Sequence, residues 1–134
     1  MKTDLRTKLY DFWIKYRFLL TAFALPALIM WMIYIAMEVY PFGSSSVLVL
    51  DLNGQYVYFF EELRKKVLEG GSFLYTWSRS MGGEFMGIYA YYLASPFTFL
   101  ITLFSENHIT EGLLLIILLK TGSMGATMAY YLNE

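Results

Sequence analysis

The chain has no cysteine among its 134 residues. That excludes a disulfide framework, a thiolate metal site and a thiol nucleophile. It has a single histidine, His108, with no second histidine to complete a ligand pair, so the residue reads as an exposed side chain in a polar segment. Charge is scarce: Lys, Arg, Asp and Glu make up 16% of the chain and sum to a net charge of −1. No basic surface is left over to neutralise phosphates, which argues against nucleic acid as a partner. What remains is apolar. The composition is 57% hydrophobic and 19% aromatic, with a mean hydropathy of +0.48, too apolar for an ordinary soluble domain.

The apolar residues are concentrated in runs. The first, Phe18 to Met37, is bounded by Arg17 and Glu38 and carries no charge. At the helical rise it covers about 30 Å, the hydrocarbon thickness of a bilayer. A transmembrane helix is therefore expected over 18–38. The preceding tail, 1–17, holds five basic residues against two acidic ones, which places the N-terminus in the cytoplasm. The run is longer than the core of a signal peptide, and no A-x-A site follows it before Pro41, so it reads as a retained anchor. The expected localisation is the cell membrane, multi-pass. The chain stops at Glu134 close to an apolar run, and a fragment of a longer protein is expected.

Pro41, Gly43 and three serines at 44–46 break the helical pattern. Val47 to Leu50 is a short β-rich stretch ending at Asp51. An amphipathic helix is expected over 53–69, with Tyr56, Phe59, Phe60, Leu63 and Val67 on one side. Glu61, Glu62, Arg64, Lys65 and Lys66 fall on the other, where Glu61 to Lys65 and Glu62 to Lys66 are favourable i,i+4 pairs. Such a helix can lie in the membrane interface. A glycine-punctuated loop follows to Glu84. The run 85–105 is uncharged but split at Ser95-Pro96, because proline lacks a backbone donor and disfavours helix at the residue before it. The connector 105–111 has two glutamates and no lysine or arginine, the wrong bias for a cytoplasmic loop. This favours an extracytoplasmic loop over 39–111 with two juxtamembrane helices and a second span over 112–132. A full span over 85–105 is the competing topology.

Candidate chemical residues are few. Asp51, about fourteen residues beyond the first span, could accept a proton from a hydroxyl or ligate a divalent metal; equally, it could cap the helix that follows. Arg79, in a Ser/Gly loop, could hold a phosphate by a bidentate contact. Glu84 could be a helix-entry charge or a binding group. Gln55 could contact sugar hydroxyls. Lys120 interrupts the last apolar run, and an ionisable residue there faces protein, water or phosphate. Near it, Gly122, Ser123, Gly125 and Ala126 offer a small-residue face for helix packing.

Several segments occur in an order that resembles a known family. They are Asp51 followed by Gln55-Tyr56 and an aromatic helix, the turn Ser80-Met81-Gly82-Gly83, and the run Tyr91-Tyr92-Leu93-x-Ser95-Pro96-Phe97. Together they look like the N-terminal part of the YfhO family of bacterial membrane proteins, which in turn resembles the GT-C glycosyltransferases. The resemblance implies an all-α polytopic membrane fold whose remaining transmembrane helices lie beyond this chain. It implies sugar transfer from a polyprenyl-phosphate donor to an extracytoplasmic acceptor of the cell envelope. Asp51 would be the catalytic carboxylate, with Gln55, Arg79, Glu84 and Lys120 as substrate-binding candidates. Many GT-C motifs pair two acids, whereas Asp51 is followed by Leu52, so the need for a divalent metal stays open. The alternatives are a transporter or flippase of lipid-linked substrates, using Lys120 and the break at Pro96, and a non-catalytic assembly protein.

Overall fold

A computed structural model of the chain describes residues 2–78 and 81–133. It is an all-α membrane protein with a two-stranded hairpin. Among the described residues two helices are long and apolar enough to cross a membrane, Tyr16–Ala36 and Glu106–Leu132. The chain divides into two units, Met1–Ile33 with Leu118–Glu134, and Tyr34–Ile117.

Helix α1 runs from Lys2 to Ala36. The basic tail is therefore not a separate segment: no glycine or proline precedes Pro26, so nothing stops the helix from extending upstream of the apolar run. In the first unit α1 packs on the C-terminal half of α4 (Ile109–Leu132) through small residues. Pro26 has no N–H to give the carbonyl of Ala22, and it is that carbonyl, with the Pro26 ring, that a Cβ at Gly125 would strike. Glycine lets the backbones approach where proline has freed an acceptor.

The second unit is built from short elements. A π-helical turn, Leu52–Tyr56, leads directly into α2, Val57–Glu69. Gly70 ends α2 in the left-handed conformation, φ +79°, where its N–H and that of Gly71 both reach back to the carbonyl of Lys66. The strands β1 (Tyr75–Thr76) and β2 (Gly83–Glu84) pair antiparallel, Tyr75 opposite Glu84; the sequence reading has only a loop there. The run 85–105 is not one helix. It forms a single turn, α3 (Met86–Ile88), a second π-helical turn (Tyr89–Leu93), and a 3₁₀ helix (Pro96–Leu103) that leaves at 102°. Pro96 occupies the first turn of that last helix, where its missing donor is harmless. The core of this unit joins Phe60 and Leu63 of α2 to Phe85, Ile88, Leu93, Ile101, Ile109 and Leu113.

Val67 does not belong to that core. It is exposed, whereas Lys66, assigned to the polar face by periodicity, is buried at 7% exposure.

Replacing Gly125→Leu is expected to force α1 and α4 apart at Ala22. Paired Phe23→Cys and Gly122→Cys substitutions report this, because the chain has no native thiol. A short bis-maleimide should link the two cysteines while Gly125 is present and fail to do so once Gly125→Leu is added.

Candidate functional site

Lys66 organises the second unit. Its ammonium donates to the carbonyls of Ser72 (2.7 Å) and Tyr75 (2.8 Å) and pairs with Glu62 Oε1 at 3.1 Å. Those three partners use all three of its N–H groups. The ring of Phe85 lies 4.9 Å from the same nitrogen. Glu62 is in turn held by the hydroxyls of Thr76 (2.5 Å) and Ser78 (2.6 Å). Burial would raise the Glu62 carboxyl, but hydrogen bonds from Ser78, Thr76 and Lys66, with the lysine charge, outweigh it and hold the group below its ordinary range. Helix α2 and the hairpin are thus fastened by a satisfied charge network and not by an exposed i,i+4 pair.

Fastening the hairpin beside α2 leaves a cavity of about 390 Å³. Gln55 from the first π-helical turn, Tyr58, Phe59 and Glu61 from α2, Thr76 and Ser78 from the hairpin, and Phe85 beneath them form its walls. A more open depression of about 550 Å³ adjoins it, sharing Gln55, Phe59 and Ile88 and adding Glu84, Gly87 and Tyr92. The two π-helical turns therefore flank one site, linked by a hydrogen bond from the Tyr92 hydroxyl to Gln55 at 3.3 Å. π-Helical turns recur at functional sites. The Glu84 carboxylate lies over Gly87, in space that a Cβ would take.

Gln55 and Glu84 are thus brought to the same depression. Asp51 stands one turn before Gln55, exposed, at the start of the helix. It makes no side-chain capping hydrogen bond, so the capping reading of Asp51 lacks its defining contact. Leu50, immediately before it, is in the left-handed region at φ +51°, a conformation that costs a leucine about 1–2 kcal/mol. The carboxylate sits between a strained residue and a π-helical turn. Arg79 lies outside the described residues. Lys120 belongs to the first unit, is half-buried, and has no polar partner among the described residues. His108 hydrogen-bonds to Glu111 at 2.7 Å. No group of three or more His, Cys, Asp or Glu able to hold a metal occurs among the described residues.

The sequence profile of a family described as Bacterial membrane protein YfhO matches residues 22–134. No curated protein and no solved structure matches the chain.

The Glu62 network predicts a pH dependence. A carboxyl whose folded pKa is depressed contributes stability that is fully present above its ordinary value of 4.5 and is lost as pH falls through the folded value. Protection factors of the amides at 72–78, exchange rates normalised to the unstructured rate at each pH, should be high at neutral pH and fall on acidification below that range. In Glu62→Gln they should be low at neutral pH and nearly independent of pH.

Proposed function

The chain belongs to the YfhO family of bacterial membrane proteins, and on that premise we propose that it contributes the first external loop of a membrane glycosyltransferase. The enzyme would move a sugar from a polyprenyl-phosphate donor to a hydroxyl of a cell-envelope acceptor. The observation that carries this reading is the free carboxylate of Asp51, one turn from a cavity-lining amide and held in a strained junction. In the proposed step Asp51 accepts the proton of the acceptor hydroxyl. The oxygen then bonds to the anomeric carbon, and the bond from that carbon to the phosphate oxygen breaks, with its electron pair leaving on the polyprenyl phosphate. Glu84 and Gln55 would orient the sugar hydroxyls. A metal is not required by this balance.

The reaction side is the extracytoplasmic face. We place residues 39–111 there as one body, and a direct contact supports this. Arg64 Nε donates to the carbonyl of Phe104 at 2.6 Å, and Glu106 lies 3.8 Å from Arg64 and 3.9 Å from Lys65. A span between residues 85 and 105 would put α2 and the connector about 30 Å apart on opposite faces. The irregular backbone at Ala94-Ser95 also suits a position outside the hydrocarbon, where unpaired backbone groups can reach water. The basic residues of the tail put the other end of α1 in the cytoplasm.

Two measurements test these statements. With single cysteines at Ser45 and at Ser105, an impermeant maleimide should label both in intact cells; labelling at 45 with protection at 105 would return a full span over 85–105. For the chemistry, Asp51→Asn in the full-length protein should insert normally while transfer of labelled sugar into envelope polymer falls by about 10²-fold, the scale of lost general-base assistance. Transfer at the wild-type rate would remove Asp51 from the mechanism.

A further inference from the structure

The cavity beside α2 has a composition that selects its ligand. Its volume of about 390 Å³ is in the range of small-molecule sites. Tyr58 and Phe59 offer aromatic faces, with Tyr58 59% exposed and available to stack. Phe85 and Ile88 make an apolar floor. The polar groups stand at the rim, and most are already engaged. Glu62 is saturated by Thr76, Ser78 and Lys66. Lys65 is held by Glu61 at 2.8 Å. Gln55 accepts from Tyr92 through its carbonyl oxygen, which leaves its amide N–H groups to donate. Glu61 keeps a second carboxylate oxygen, and Glu84 both of its own, to accept.

The electrostatics are one-sided. The cavity and the adjoining depression present three carboxylates, Glu61, Glu62 and Glu84, against one ammonium, Lys65. Among the described residues no unpaired cation lines either of them. Lys65 and the neighbouring Lys66 offset Glu61 and Glu62, so a phosphate placed there would meet the unpaired carboxylate of Glu84 and, among the described residues, no free counter-ion.

We propose that this cavity and the depression beside it bind an uncharged, hydroxyl-rich ring, a sugar unit stacked on Tyr58 with its hydroxyls shared among Gln55 and Glu61 of the cavity and Glu84 of the depression, and that they reject the lipid phosphate. The assignment rests on the glycosyltransferase reading for its place in a reaction, and on the cavity alone for its ligand chemistry. The sugar could come from the donor or from the acceptor; both present the same neutral ring.

Binding and turnover separate these points. The full-length protein in detergent micelles is presented with methyl glucoside, methyl galactoside and N-acetylglucosamine, and saturation transfer to the ring protons is read by NMR. At least one probe should be saturated. Tyr58→Ala should reduce that signal by about fivefold, the scale of one aromatic contact, and excess inorganic phosphate should not displace the sugar. No saturation by any probe, an undiminished signal in Tyr58→Ala, or displacement by phosphate would each overturn the assignment. In the transfer assay, a raised KM in Tyr58→Ala for donor alone or for acceptor alone supports the assignment and identifies the source. An unchanged KM for both, with Asp51→Asn still inactive, overturns the cavity and leaves the enzyme. Sugar binding that depends on Tyr58, together with full transfer by Asp51→Asn, keeps the cavity and removes the proposed chemistry.

Discussion

A buried ammonium is the constraint around which the second unit is built. Moving a charge out of water costs several kcal/mol unless every hydrogen-bonding direction is met. Lys66 meets that condition with two carbonyls and one carboxylate, and Phe85 covers it. The carbonyls belong to Ser72 and Tyr75, so the charge can be satisfied only when the chain after Gly70 folds back along α2. The left-handed glycine at the end of α2 permits that reversal. The hairpin, the closing of Phe85 over the core and the cavity between them all follow from one lysine being unable to remain buried alone.

The same logic explains why a chain so rich in apolar residues carries an ordered polar body. The long spans need no specific sequence beyond apolarity and a few small residues at their contact, Gly125 against Ala22 and Pro26. The short elements between them cannot rely on length. A three-residue helix, two π-helical turns and an eight-residue 3₁₀ helix have too few internal bonds to persist alone. They are held by Arg64 on the carbonyl of Phe104, by Lys66 on the hairpin, and by the shared core around Leu63, Leu93 and Ile101.

The long-period features were legible in the sequence: the charge-free run from Phe18, the stripe of α2, the break at Pro96 and the small-residue face at 122–126. Each is a local property of composition or spacing. The role of Lys66 was not legible, because helical periodicity ranks residues by face and cannot know that a second element will cover the polar one. The hairpin was missed because its strands are two residues long, too short for any alternation to register. The π-helical turns leave no compositional mark either. They are defined by backbone hydrogen bonding alone. For the candidate site, Asp51, Gln55 and Glu84 were named by type and position. The meeting of Gln55 and Glu84 at one depression depends on the pairing of β1 with β2, which no spacing encodes, and Asp51 lines neither the depression nor the cavity.

The distribution of engaged and unengaged carboxylates then separates structure from chemistry. Glu62 is spent on three donors, Glu61 on Lys65, Glu106 on Arg64 and Lys65, and Glu111 on His108. A carboxylate so engaged is a poor base, because protonation must first break the bonds that stabilise its charge. Asp51 has no such bond from the cap it occupies. It also follows a residue, Leu50, whose backbone is left-handed on the way into a helix. Asp51, exposed and one turn before the cavity-lining Gln55, and Glu84 in the adjoining depression keep lone pairs that no protein donor occupies, and these are the carboxylates that the proposed reaction draws on.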